Sequence, residues 1–196
     1  MRKVKAVTFC ALVRVLDLGC GAGKSLVHLG VDESETIIGC DIGPLQAAAR
    51  NFASRQFVQA AGEALPFRSE SFDSVLCMLS LPYMSIPVAL KEAHRILRPK
   101  GKLFVSIHPL RFTLRELIAC RSIPAILFRL FVILNGCYFH ATGRVFSVRG
   151  RSESFQTIRG MRIALNRAKF ENLQVDRPIA EWGKRLRITA DKPSMY

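Results

Sequence analysis

The chain reads as an α/β protein built on a doubly wound, mostly parallel sheet. Three observations predict it. Short apolar runs of strand length alternate with stretches of helical periodicity through the first half. A glycine-rich turn follows directly on the first of those runs, as in a βα unit whose backbone must approach a ligand. The 196 residues, 49% of them hydrophobic, suffice for one domain with a substantial core and exclude a disordered chain.

Val13 to Leu18 is the first strand. It runs into Asp17-Leu18-Gly19-Cys20-Gly21-Ala22-Gly23, where an apolar run stops at a carboxylate and then at three glycines spaced by two. A short helix is expected from Lys24 to about Leu29. Thr36 to Cys40 is the second strand, with Asp41 at its carboxyl end. Ligands of open α/β sheets bind beyond that edge. A carboxylate there can accept both hydroxyls of a ribose. Gly43-Pro44 opens a helix whose apolar stripe is Leu45, Ala48, Ala49 and Phe52, with proline at a tolerated first-turn position. Gln56 to Ala60 is the third strand, and Pro87 to Leu97 a helix with Ala89, Ala93, Ile96 and Leu97 on one face.

Three kinds of nucleotide loop compete for the glycine turn. A phosphate-binding P-loop ending in Gly23-Lys24-Ser25 requires a glycine at position 18, which is Leu18. A dinucleotide fingerprint requires a third glycine at position 24, which is Lys24. The actual spacing is G-x-G-x-G, with an acid two residues ahead of it. This resembles motif I of the class I S-adenosylmethionine (SAM)-dependent methyltransferases, of the methyltransferase type 11 kind. Further segments carry the resemblance in order. Ala61-Gly62-Glu63-Ala64-Leu65-Pro66-Phe67 is similar to the segment that flanks adenine, although Ala61 stands where the family usually has an acid. Ser71 to Leu79 looks like the fourth strand, with Asp73 as a strand-start residue. Leu97-Arg98-Pro99-Lys100-Gly101-Lys102-Leu103 closely resembles the turn into strand five, Lys102 to Ile107. The pattern covers about residues 13–108.

The resemblance implies a Rossmann-like, seven-stranded sheet with an antiparallel last strand and a helical insertion after strand five, at about residues 111–150 of a single domain spanning 1–196. It implies SAM as cofactor. Asp17, Gly19, Cys20, Gly21 and Gly23 would hold its amino-acid end, Asp41 and Ile42 its nucleoside, and Gly62, Glu63 and Ala64 its adenine. Met78 and Leu79 would lie over it.

The remainder is less regular. Arg111 to Leu134 looks helical with a break near Pro124. Leu114, Leu117, Ile118, Ile126, Leu127, Leu130, Phe131 and Leu134 share a face expected to pack on the domain. Asn135 to Gly143 is expected to be a substrate loop carrying Tyr138, Phe139 and His140. Thr157 to Phe170 is a basic helix with Ile158, Met161, Ala164, Leu165 and Ala168 inward. Asn172 to Val175 and Arg185 to Ala190 fit the last two strands.

Methyl transfer from a sulfonium needs alignment and exclusion of water more than it needs a metal, and no metal-ligand spacing is present. An oxygen or nitrogen acceptor calls for a base. His108, just past strand five, is the first candidate and His140 the second. Tyr83 and Tyr138 are candidate substrate contacts. His28 and His94 fall inside predicted helices and read as packing. The six cysteines form no C-x-x-C pair and read as reduced, in keeping with a cytoplasmic protein without a signal peptide. Ile123 to Phe139 is apolar, yet Arg129 lies within it, and a membrane span is not expected.

Charge is lopsided. Residues 1–100 hold 12 Lys and Arg against 9 Asp and Glu, whereas residues 101–196 hold 17 against 6. The positive half favours an anionic partner. The leading expectation is a SAM-dependent methyltransferase acting on a small-molecule or lipid-like, anionic acceptor, in a chain that can form a homo-oligomer. The alternatives are a nucleic-acid (RNA) methyltransferase and a degenerate, non-catalytic SAM-fold binding protein.

Overall fold

A computed structural model describes residues 13–23, 36–176 and 186–194. Seven strands form one sheet: β1 (Arg14–Leu18), β2 (Thr36–Asp41), β3 (Gln56–Gln59), β4 (Phe72–Met78), β5 (Leu97–Ser106), β6 (Glu171–Asp176) and β7 (Arg187–Asp191). Their order is β3-β2-β1-β4-β5-β7-β6. The β1–β5 ladders are parallel, and β7 runs antiparallel to both neighbours. The order reverses between β1 and β4, so the carboxyl ends of those strands open the crevice where such sheets bind ligands. The helices are α1 (Gln46–Asn51), α2 (Ile86–Ile96), α3 (Leu110–Ala119), α4 (Ile123–Thr142) and α5 (Ile158–Arg167), with a 3₁₀ turn at Leu81–Tyr83.

The strands read as continuous apolar runs because both sheet faces are covered. Leu16, Leu18, Ile38, Val75, Leu103 and Val105 point to one face, where Ala89, Leu90 and Ala93 of α2 and Met161, Ala164 and Leu165 of α5 close the main core. Val15, Ile37, Leu76 and Phe104 point to the other, against Phe52 and Phe57. The turn expected ahead of a strand starting at Lys102 lies instead within β5, which begins at Leu97, as a bulge. Leu97 pairs with Phe72, the register then slips, and Lys102 pairs with Ser74. Lys100 takes a φ of 65° in that turn. Asp73, expected as a strand-start residue, accepts a bond from the Arg14 N–H (2.8 Å) and pairs with Arg98 (2.7 Å).

Several expectations change. The helix after Asp41 begins at Gln46, so Pro44 precedes it, and of its predicted stripe Ala48 is buried while Ala49 is exposed. The break in the insertion falls at 120–122, and Pro124 sits in the first turn of α4. The expected loop at Asn135 to Gly143 is helix: α4 continues to Thr142 and ends at Gly143 in the left-handed conformation, φ 64°. The apolar face of the insertion is also inverted. Leu114, Ile118, Ile126, Leu127, Leu130 and Leu134 are exposed, while α4 buries Val132, Asn135, Gly136 and Phe139. Asn135 explains the reversal, because its amide is consumed inside the protein. Nδ2 lies 3.0–3.1 Å from the carbonyls of Phe146, Ser152 and Glu153, and Oδ1 accepts the Phe146 N–H at 3.0 Å. Gly136 and Gly160 permit the close packing. A Cβ at the first would overlap the Phe155 ring, and one at the second would lie 2.7 Å from the Phe139 ring.

Helix α5 matches its predicted inner face, and the Thr157 hydroxyl caps it by accepting the Gly160 N–H at 3.1 Å. The expected helix from Lys24 to Leu29, His28 and Arg185 lie outside the described residues.

Candidate active site

The glycine turn sits at the carboxyl end of β1, where Gly19, Gly21 and Gly23 take φ of 76°, 52° and 82°. Left-handed backbone at three alternating positions accounts for glycine at each of them. The turn is bonded to β2, with the Gly19 and Cys20 N–H groups donating to the Cys40 carbonyl at 2.7 and 3.1 Å. Asp41 then reaches across. Its Oδ2 accepts the Gly21 N–H and its Oδ1 the Gly43 N–H, each at 2.8 Å. Each carboxylate oxygen retains a further lone pair for an incoming hydroxyl. A Cβ built on Gly21 meets nothing within 4 Å, so this turn faces open space.

The segment after β4 covers the turn. Leu79 has a φ of 64°, which redirects the chain, and the Ser80 hydroxyl donates to the Leu18 carbonyl at 2.6 Å. Ser80 and Met84 pack directly on Gly19, and Met84 also packs on Gly62, where a Cβ would lie 2.6 Å from its sulfur. Met78 and Leu79 therefore end β4 beside the glycine turn, half-buried. Asp17 is fully buried. Burial, followed by the charges of Asp17 and Asp41, pushes the Cys20 thiol up to about 12, and burial with Asp41 pushes Cys40 to about 11. Burial thus favours the neutral thiol at both positions.

The expected adenine segment is ordered by its own bonds. Glu63 Oε1 accepts the Ser85 N–H at 2.6 Å, at the start of α2, and the Ala64 N–H donates to the Ala61 carbonyl at 3.1 Å. Arg95 binds the carbonyls of Phe67 and Leu65, and Glu92 accepts the Leu65 N–H. The Arg95 guanidinium holds the Glu92 carboxyl below its usual range. Ile42 lies 72% exposed beyond the end of β2, free of any core role, and the Gln59 amide donates to its carbonyl at 3.0 Å.

Two candidate substrate residues meet. His108 and Tyr83 line one cavity of about 100 Å³ with Thr113, Glu116, Arg129 and Glu153 among its walls. The His108 backbone is clamped by Gln156, which accepts its N–H through Oε1 and donates its own N–H to the His108 carbonyl, both at 2.8 Å. Three buried side-chain atoms of this cavity, Thr113 Oγ1, Glu153 Oε2 and Ser154 Oγ, have no hydrogen-bond partner among the described residues. Sequence reasoning missed all three. They come from separate segments with no motif spacing. The other two candidates are elsewhere. His140 is exposed on the last turn of α4, with Nδ1 3.0 Å from the Thr157 hydroxyl, and Tyr138 packs edge-on against Phe146. Neither lines the His108 cavity. His94 packs edge-on against Phe170 inside the fold, as expected. Among the described residues no cluster of metal-ligating side chains occurs.

Comparison with known proteins agrees with this geometry. The family described as a methyltransferase domain matches residues 16–105. The uncharacterized methyltransferase YodH of Bacillus subtilis is 36% identical over 94 residues, covering 45% of this chain and 40% of that protein. The probable tRNA methyltransferase 9B of Homo sapiens is 35% identical over 98 residues, covering 47% and 21%. The chain thus matches less than half the length of either relative. In structure it is similar to the Burkholderia thailandensis 1,6-didemethyltoxoflavin-N1-methyltransferase, solved with its substrate and S-adenosylhomocysteine, with a TM-score of 0.63 at 18% identity over 94% of this chain and 72% of that one. The glycine turn and its acid partner on β2 both lie within the matched stretch, residues 16–105, and that stretch is similar to the class I SAM-dependent methyltransferase domain.

Proposed function

We propose that the chain transfers a methyl group from SAM to a small-molecule or lipid-like acceptor. The observation that carries this reading is the Gly19–Gly23 turn held against Asp41 and open at Gly21. SAM supplies a methyl group already activated by its sulfonium. Gly19, Gly21 and Gly23 would admit its amino-acid end. Asp41 would accept ribose hydroxyls, with Ile42 beside the nucleoside. Gly62 and its neighbours would flank adenine, their N–H and carboxylate groups being partly engaged in shaping the segment.

The chain's own groups then bind and orient the acceptor. The cavity beside His108 is small, and its three unpaired polar atoms favour a ligand that brings hydrogen-bonding groups. A buried polar group left unmatched costs about 1–3 kcal/mol, so a matching acceptor gains specificity there. His108 would take the proton from an oxygen or nitrogen nucleophile, and Tyr83 would cover the acceptor. The cytoplasmic setting and self-association belong to the same reading.

A basic groove favours the RNA alternative. It measures about 430 Å³ and is lined by Lys91, Arg144 and Arg167. A phosphate-binding groove would give an affinity for RNA that falls steeply with salt.

Calorimetry with SAM and S-adenosylhomocysteine tests the cofactor assignment. Wild type should bind both, and Asp41→Ala should bind at least about tenfold more weakly, the worth of one hydrogen bond to a charged group. Unchanged binding in that variant overturns the site. Incubating extracts with methyl-labelled SAM then reads the acceptor. Label in low-mass or lipid fractions supports the proposal, label confined to RNA selects the alternative, and cofactor binding without any labelled product selects the non-catalytic one.

A further inference from the structure

Among the described residues, the outer face of the insertion gathers many of the exposed large apolar side chains. Leu114 and Ile118 on α3 and Ile123, Leu127, Leu130 and Leu134 on α4 all face out, with Ile118 84% and Ile123 73% exposed. Their spacings, four residues on α3 and three or four on α4, place them on one stripe of each helix. α3 and α4 pack against each other, and Arg129 of α4 bridges Glu116 of α3 at 3.1 Å. Monomeric soluble proteins rarely leave a contiguous apolar face of this kind without a partner.

Charge identifies the partner. Between residues 110 and 151 the sequence holds seven arginines and one acid, Glu116. Arg115, Arg121 and Arg144 are exposed on or beside the two helices. A second copy on the same face would bring Arg115, Arg121 and Arg144 of both chains together and repel. An anionic surface with an apolar interior satisfies both the stripes and the arginines at once. We propose that the α3–α4 face docks on the surface of an anionic lipid bilayer.

The helix would lie on the bilayer rather than cross it. α4 is 20 residues long and apolar enough in composition to span. Its inner face, however, is committed to the domain through Phe139, which is fully buried, and through the Asn135 amide, which binds the 146–153 segment. The same two helices supply Thr113, Glu116, Phe128, Arg129 and Val132 to the His108 cavity. Docking would therefore bring that cavity to the lipid surface. The inference stands on exposure and charge and does not require the methyltransferase reading.

Sedimentation of the whole chain with vesicles tests it. Phosphatidylcholine vesicles containing roughly one-third phosphatidylglycerol should carry the protein down, and vesicles of phosphatidylcholine alone should do so much less. Partition should fall as salt rises. Replacing Ile118, Leu127 and Leu134 together by Gln should cut partition at least about tenfold, since each loses an inserted apolar group. Arg115→Gln and Arg121→Gln should each cut it about fivefold. All these positions are exposed, so far-ultraviolet circular dichroism should be unchanged. S-adenosylhomocysteine binding by the same variants reports the cofactor site separately. Failure to sediment with anionic vesicles overturns the proposal, as does a solution dimer that the triple Gln variant converts to monomer.

Discussion

Replacing Asn135 by Ala should be among the most damaging single changes outside the glycine turn. Asn135 is fully buried in α4, and its amide serves four backbone groups of the chain that returns after the helix. Two N–H donors are shared among the carbonyls of Phe146, Ser152 and Glu153, and Oδ1 holds the Phe146 N–H. The Ser152 contact is fully buried, and the others are partly so. Stranding one fully buried carbonyl costs about 1–3 kcal/mol, and each partly buried group roughly 0.5–1 kcal/mol because water reaches it. The loss is therefore about 2.5–6 kcal/mol. At about 2–4 °C per kcal/mol for a chain of this size, the melting midpoint should fall by at least about 5 °C. Asn135→Asp should be worse, because it keeps the acceptor for Phe146, removes every donor and buries a charge against carbonyl oxygens. Urea denaturation with a constant m-value measures the difference. A loss under about 1 kcal/mol in Asn135→Ala would refute the reasoning.

The glycine turn separates stability from binding. Gly19→Ala should cost about 1–2 kcal/mol from its left-handed φ and more from displacing Ser80, so both melting midpoint and cofactor binding fall. Gly21→Ala meets no atom and pays only the backbone term, yet its methyl projects into the cleft. It should melt lower only by the few degrees that the left-handed φ costs, less than Gly19→Ala, and lose S-adenosylhomocysteine affinity, and full affinity would show that the cofactor does not lie there. His108→Ala should lower turnover by about 10²–10⁴ at unchanged cofactor affinity once an oxygen or nitrogen acceptor is in hand, while full turnover rejects it as base. Acid should weaken the fold in a defined order. Burial, then Lys192 and Lys169, lowers the His94 pKa below 6.5, so the unfolded chain binds more protons than the fold below that pH. This contribution is complete above pH 6.5 and is lost as pH falls toward the folded-state value. Glu92, held below 4.5 by Arg95, adds a further loss lower down. Denaturation across a pH series should show the first decline vanish in His94→Gln, and an unaltered decline would reject the assignment.

The parts of this protein legible in its sequence are those determined locally. β1, β2 and β4 are runs buried on both faces, so hydrophobicity alone marks them. The glycine turn is legible because three left-handed backbone angles at alternating positions demand glycine regardless of distant contacts. The place of Asp41 at the carboxyl end of β2 is legible because it directly follows an apolar strand run. Where a role depends on tertiary partners, local rules do not reach it. Glu63 reads as an adenine contact, and its Oε1 also anchors the start of α2 at Ser85, 22 residues away, a bond that no local pattern announces. Asn135-Gly136 opens the segment expected as a substrate loop. In the fold, one side chain ties a returning segment and the other, by lacking a Cβ, admits the Phe155 ring.

The insertion shows the deeper limit. Periodicity states which residues share a helix face and is silent about which face meets the protein. In an ordinary helix the apolar stripe settles that question, because burying it is the dominant gain. In α4 another set of contacts competes. Val132, Gly136 and Phe139 close against the domain, while Asn135 satisfies four backbone groups that would otherwise be stranded. Turning the helix to bury Leu127, Leu130 and Leu134 would break all four bonds and lift Phe139 from its site. The outward stripe is thus the consequence of a polar anchor on the opposite side, and its apolar character requires a reason outside the domain. Seven arginines and a single acid around it supply that reason, since together they make the face suited to an anionic lipid surface and unsuited to its own copy.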